Sequence, residues 1–151
     1  MKIIVILILI FTYTSIYSQD YKALKKADTI YVLFKGKKFE RKGVSPDNVE
    51  RSYHFYGFEK EFFFSHYKYQ SYERKIANIV SDVKIVDESF IKKNDSKIIT
   101  RRFLKRNDLC KVVAEILNHN RTIYIIDCTE KKEGKIVLYE VLMSTICRGD
   151  G

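Results

Sequence analysis

Ten of the twenty residues from Tyr53 to Tyr72 are aromatic, and the rest of the chain after residue 18 holds only eight more. Rings at this density favour extended backbone, where bulky side chains stand on a pleated surface. Two strands are therefore expected, Arg51 to Phe58 and Glu61 to Tyr69, joined near Glu59-Lys60. A two-residue turn would set Phe55 opposite Phe64 and Tyr56 opposite Phe63, cross-strand pairs worth about 0.2–1 kcal/mol each. Both faces of this hairpin carry rings. Each face needs a covering layer, or one is left as an exposed aromatic surface.

The flanking sequence offers further strands and helices. Thr29 to Phe34 is β-branched and aromatic on both alternation faces, as in a strand covered on both sides. Lys35 to Asn48, with Gly36, Gly43, Pro46 and five cations, has loop composition. Tyr21 to Ala27 offers one helical turn, Ser71 to Val80 has helical spacing, and Val83 to Val86 suits a short strand. Phe90-Ile91-Lys92-Lys93-Asn94-Asp95 recurs thirteen residues later as Phe103-Leu104-Lys105-Arg106-Asn107-Asp108. This interval is too short for a solenoid unit, so we read two similar helical turns with the same packing need. Asp108 can cap a helix whose Leu109, Val112, Val113, Ile116 and Leu117 share one face. Arg121 to Asp127 and Lys135 to Ile146 then form a terminal hairpin across the charged turn Lys131 to Gly134. The fold class is α+β: a mainly antiparallel sheet, an aromatic-rich central hairpin, two or three helices and a C-terminal β-hairpin.

The chain opens with Met1-Lys2, an unbroken apolar run from Ile3 to Phe11, and a polar stretch ending in Ser18-Gln19. One positive charge, a short apolar segment and a small residue before hydrated sequence make up a secretory signal peptide. A membrane-spanning helix needs about 20 apolar residues, so an N-terminal anchor is the weaker reading, as is a buried strand. Residues 1–18 are expected to be cut away, although Ile16 is larger than the small residue usual before such a bond. Residues 19–151 form one domain, with no linker or break in composition. The product would be secreted or periplasmic, without stable membrane insertion after removal of the signal.

Export limits the chemistry. The compartment is oxidising and lacks ATP and reduced cytosolic cofactors. Six scattered glycines make no phosphate-cradling motif, and no cofactor is expected. His54 and His66 fall on opposite faces of the expected hairpin, and no zinc-type spacing exists, so no metal ligand and no catalytic residue is assigned. A pair such as Glu61 with His54 is the kind of dyad a small hydrolase would use. Three cysteines allow three buried thiols or one disulfide with one thiol left over. Cys128–Cys147 is disfavoured, because the hairpin would hold them roughly 40 Å apart. Cys110, on the preceding helix, reaches Cys128 more easily than Cys147, so Cys110–Cys128 is the candidate bridge.

Charge is the remaining signal. There are 28 Lys+Arg against 19 Asp+Glu, a formal net charge of +9. Lys35, Lys37, Lys38, Arg41 and Lys42 form one cluster; Arg101, Arg102, Lys105 and Arg106 dominate another, with Lys92, Lys93 and Lys97 upstream. Such clusters also arise as plain solvated surface in a lysine-rich chain. Where they bind, they suit an anionic envelope polymer or an envelope protein, with nucleic acid less favoured by export. The expected function is that of an exported, non-enzymatic small basic domain. The alternatives are a small secreted hydrolase, a nuclease or glycan-cleaving enzyme using a His/carboxylate pair, and an inhibitor or immunity-type protein.

Overall fold

The computed structural model describes residues 20–48, 50–57, 61–66, 82–118 and 120–144. The expected signal peptide, the expected helix Ser71 to Val80, His119 and Cys147 lie outside them.

The doubly apolar segment becomes the inner strand of the sheet. β1 (Thr29–Phe34) pairs in parallel with β6 (Ile98–Ile99) on one edge and with β7 (Thr122–Lys132) on the other. β7 turns through Glu133-Gly134, both at positive φ, into β8 (Lys135–Met143), the expected terminal hairpin. Positive φ at both central residues matches the twist of a two-residue hairpin turn. This turn falls inside the expected charged segment Lys131 to Gly134, and the β7–β8 pairing shifts register between Asp127 and Lys132.

β8 has two neighbours on its second edge. Its first half takes β5 (Val83–Asp87), and its end takes β4 (Phe62–His66) through Phe64–Met143 and Ser65–Leu142. The sheet forks there. β4 continues into β3 (Arg51–Phe55) and then β2 (Glu40–Val44), all antiparallel. β2 corrects the loop reading of this stretch. Arg41 and Lys42 looked like loop composition, but charged residues are also how an edge strand discourages pairing with other chains.

The aromatic hairpin forms with a different register. Tyr53 faces Phe64, His54 faces Phe63 and Phe55 faces Phe62, a shift of two residues from the pairing expected for a two-residue turn. Because strand side chains alternate with a period of two, this slip leaves every ring on the expected face.

The β2–β3–β4 arm folds back across β1 and β7. Phe34 meets Tyr53 edge-on at 5.0 Å and Phe55 at 5.9 Å. This core continues through Ile30, Val32, Ile123, Ile125 and Val141 to the helices α1 (Tyr21–Lys26), α3 (Arg101–Arg106) and α4 (Leu109–Glu115). The opposite face of β1, β7 and β8 presents Leu33, Tyr124, Ile126, Ile136 and Leu138 to Phe90 and Ile91 of α2 (Ser89–Lys93). The near-repeat is thereby explained. Asn94 Nδ2 donates to Phe90 O at 3.0 Å, and Asn107 Nδ2 donates to Phe103 O at 2.8 Å. Each copy is one helical turn closed by its own asparagine, and the two cover opposite faces of the sheet. Asp108 caps α4 as expected, accepting from Lys111 N at 2.8 Å. Arg121 closes the C-terminal end of α1 by donating to the carbonyls of Leu24, Lys25 and Ala27.

Among the described residues, no helix is long and apolar enough to cross a membrane.

Candidate anion-binding groove

The two basic clusters are about sixty residues apart in sequence, yet both border one groove of about 1480 Å³. Lys35, Lys37 and Lys38 stand on the β1–β2 connection, and Arg101, Arg102 and Arg106 on α3; all six line it. Three carboxylates, Asp20, Glu40 and Asp95, line it too, so cations outnumber acids two to one. Low-dielectric walls bearing one dominant sign of charge concentrate counter-ions between them.

The chain conformation holds two of these elements close. Phe39, 45% exposed, has φ 72°, in the left-handed region where a bulky residue costs about 1–3 kcal/mol. Its ring lies 5.0 Å from Lys38 Nζ and 4.9 Å from the Arg101 guanidinium. Arg101 Nη2 also donates to Tyr56 O at 3.3 Å. Gly57, at φ 81°, makes room for this arrangement, because a Cβ there would lie 2.9 Å from Arg101 Nη2. Thus Arg101 is fixed, whereas Arg102 and Arg106 are exposed. Glu40 is tied to the same β1–β2 connection. Its Oε2 accepts from Lys35 N at 2.8 Å and Lys37 N at 3.3 Å, the two amides flanking Gly36 at φ 63°.

The other three basic candidates lie elsewhere. Lys105 is exposed on α3 outside the groove, and Arg41 sits over the Tyr56 ring at 5.2 Å. Lys42 is committed to an internal network. Its ammonium donates to Asp127 Oδ2 at 3.0 Å, Thr129 Oγ1 at 2.9 Å and Glu130 Oε1 at 3.0 Å. Asp127 is fully buried and also accepts from Tyr53 OH at 3.0 Å. Thr129 N and Oγ1 donate to its other oxygen. Glu130 accepts further from Arg51 Nε and Tyr139 OH. Two cations meet two carboxylates here, so the network is balanced and ties β2 and β3 to β7. Burial raises Tyr53, reinforced by Asp127. Burial likewise raises Tyr139, with Glu130 reinforcing it. Burial also pushes Glu130 upward, but Tyr139, Lys42 and Arg51 outweigh it and leave this carboxyl below its ordinary range.

The histidines stay on opposite faces. His66 is buried against Tyr139, with Nδ1 2.6 Å from Glu140 O. His54 faces outward between Tyr56 and Phe63, and its Nδ1 lies 2.6 Å from Glu61 Oε1. That is the dyad distance, but neither residue lines the groove. Among the described residues, no group of three His, Cys, Asp or Glu side chains could hold a metal ion. The candidate bridge Cys110–Cys128 is corrected. Cys128 is a free thiol that projects from β7 into the second core, whereas Cys110 is disulfide-bonded.

Sequence reading missed Phe39 and Glu40 as parts of the site. The adjacent ring and acid Phe39-Glu40, set among five cations, were the available signal. No family model, no curated protein and no solved structure matches the chain.

Proposed function

We propose that this chain is an exported, non-enzymatic basic domain that binds an anionic envelope polymer along the groove between the β1–β2 connection and α3. The observation that carries the proposal is the convergence of Lys35, Lys37 and Lys38 with Arg101, Arg102 and Arg106 on one surface. Small-molecule pockets are typically about 300–1,000 Å³, so an open groove larger than this suits several units of a polymer better than one compact ligand. Arginines supply fixed forks for carboxylate or phosphate oxygens, and the lysines supply mobile point charges. Recognition spread over many charges is screened by salt.

The test is titration of the mature domain with polygalacturonate and with inorganic polyphosphate at low and high salt. Saturable binding that weakens with salt and is lost in R102E/R106E is the expected result. Unchanged affinity in R102E/R106E would contradict the proposal.

The His54–Glu61 contact of 2.6 Å favours a second reading, a small hydrolase working on the outer face of β3. That reading requires turnover of a polymer that is abolished in His54→Ala and retained in R102E/R106E.

A further inference from the structure

Glu40 is an acid placed among cations, and the atoms it touches explain why it is there. Successive backbone N–H groups around a left-handed residue make a concavity that receives an anion. Lys35 N and Lys37 N, on either side of Gly36, form such a cradle at the groove wall. Both point at a single carboxylate oxygen, Glu40 Oε2, at 2.8 Å and 3.3 Å. Gly36 cannot readily be replaced in this role. Its φ is 63°, and a Cβ would lie 2.6 Å from Thr129 Cγ2.

We infer that the Lys35–Gly36–Lys37 backbone cradle is the oxyanion seat of the groove, and that Glu40 occupies it as an internal stand-in for one anionic group of the ligand. This inference rests on the polymer-binding reading and deepens it. Three observations support it together. The occupant is chemically an oxyanion, Lys35, Lys37 and Glu40 all line the groove, and the surrounding lysine and arginine side chains favour any negative group placed there. A ligand carboxylate or phosphate entering the seat must first displace the Glu40 carboxylate, which can rotate toward water. Its apparent affinity is therefore reduced by the fraction of time Glu40 holds the seat.

The consequence runs against simple stability logic: removing a native hydrogen-bonded charge should improve function. Glu40→Gln keeps a carbonyl oxygen that can satisfy the two N–H groups but holds them less strongly than a carboxylate. Binding in E40Q should be about 3–10-fold tighter than in the native protein. Asp95→Asn controls for charge, because it removes one negative charge from the same groove without touching the seat.

The experiment measures affinity for polygalacturonate and for inorganic polyphosphate in the native protein, E40Q and D95N. It also follows the amide NMR signals of Lys35 and Lys37 during each titration. The expected result is a clearly larger gain in E40Q than in D95N, with both amides shifting as polymer saturates. The polymer showing the larger gain identifies the oxyanion as carboxylate or phosphate. Equal gains in the two variants, an unchanged or weaker E40Q, or unmoved amides in the bound native protein would each overturn the seat. If neither polymer binds any of the proteins, the groove reading falls and takes this inference with it.

Discussion

Lys42 Nζ lies 3.0 Å from Asp127 Oδ2, joining an edge strand to a fully buried carboxylate 85 residues away. This contact closes the β2–β3–β4 arm onto the rest of the sheet. Removing one partner of a buried pair leaves the other uncompensated, at a cost of about 3–5 kcal/mol. Because the Lys42 side chain is 19% exposed, water can recover part of that loss. Lys42→Ala should cost about 3 kcal/mol in urea unfolding. Lys105→Ala, at an exposed site, should cost less than about 0.5 kcal/mol. Similar midpoints for the two variants would argue against the network as the arm's anchor.

Glu130 sets the acid limit of this anchor. Its folded carboxyl is held below the ordinary range, so the stability it contributes is present above the unfolded-state value and is lost as pH falls through the folded one. Denaturant midpoints should therefore decline below about pH 4.5. In Glu130→Gln that acid slope should flatten, with lower stability at neutral pH. An equally steep acid slope in the variant would assign the loss to other carboxylates.

Tyr53 sets the alkaline limit. Burial and Asp127 hold its phenol protonated well above the unfolded value of 10.0. The unfolded chain releases this proton first, so stability is full below pH 10 and falls as pH rises beyond it. Tyr53→Phe leaves Asp127 without one donor and should be less stable at neutral pH. It should also lose part of the decline above pH 10, as read by unfolding at pH 8 and pH 10.5.

The paired asparagine caps give a cleaner test of local structure. Asn107→Ala removes the Nδ2 bond to Phe103 O and should cost about 0.5–1.5 kcal/mol. It should also loosen α3 and with it Arg102 and Arg106. Faster amide exchange confined to Arg101–Asn107 is the expected signature, whereas unchanged exchange would mean that packing alone holds the turn.

The sequence made the interior legible wherever a pattern was local. β1 announced itself through apolar residues on both alternation faces, β7 and β8 as a hairpin around a charged turn, and Asp108 marked the start of α4. The asparagine-terminated turns were visible as a near-repeat. What their spacing could not show was that Phe90 and Phe103 serve opposite faces of one sheet. β2 was read as loop because an edge strand is free to be charged. The hairpin register depended on the length of the connection, which ring content does not specify. For the groove, each cluster was visible, but their meeting is a consequence of topology. Lys42 shows the converse. Its identity as a cation was plain, yet its burial beside Asp127 follows only from how the arm folds back.

The most direct test of the central claim is where a bound polymer touches the protein. Backbone amide shifts should be recorded during titration with polygalacturonate and polyphosphate. Polymer binding in the groove predicts the largest changes at Lys35–Glu40 and Arg101–Arg106, moving together along one binding curve. Changes centred on Lys92-Lys93 or on His54 and Phe63, with the groove amides still, would contradict it.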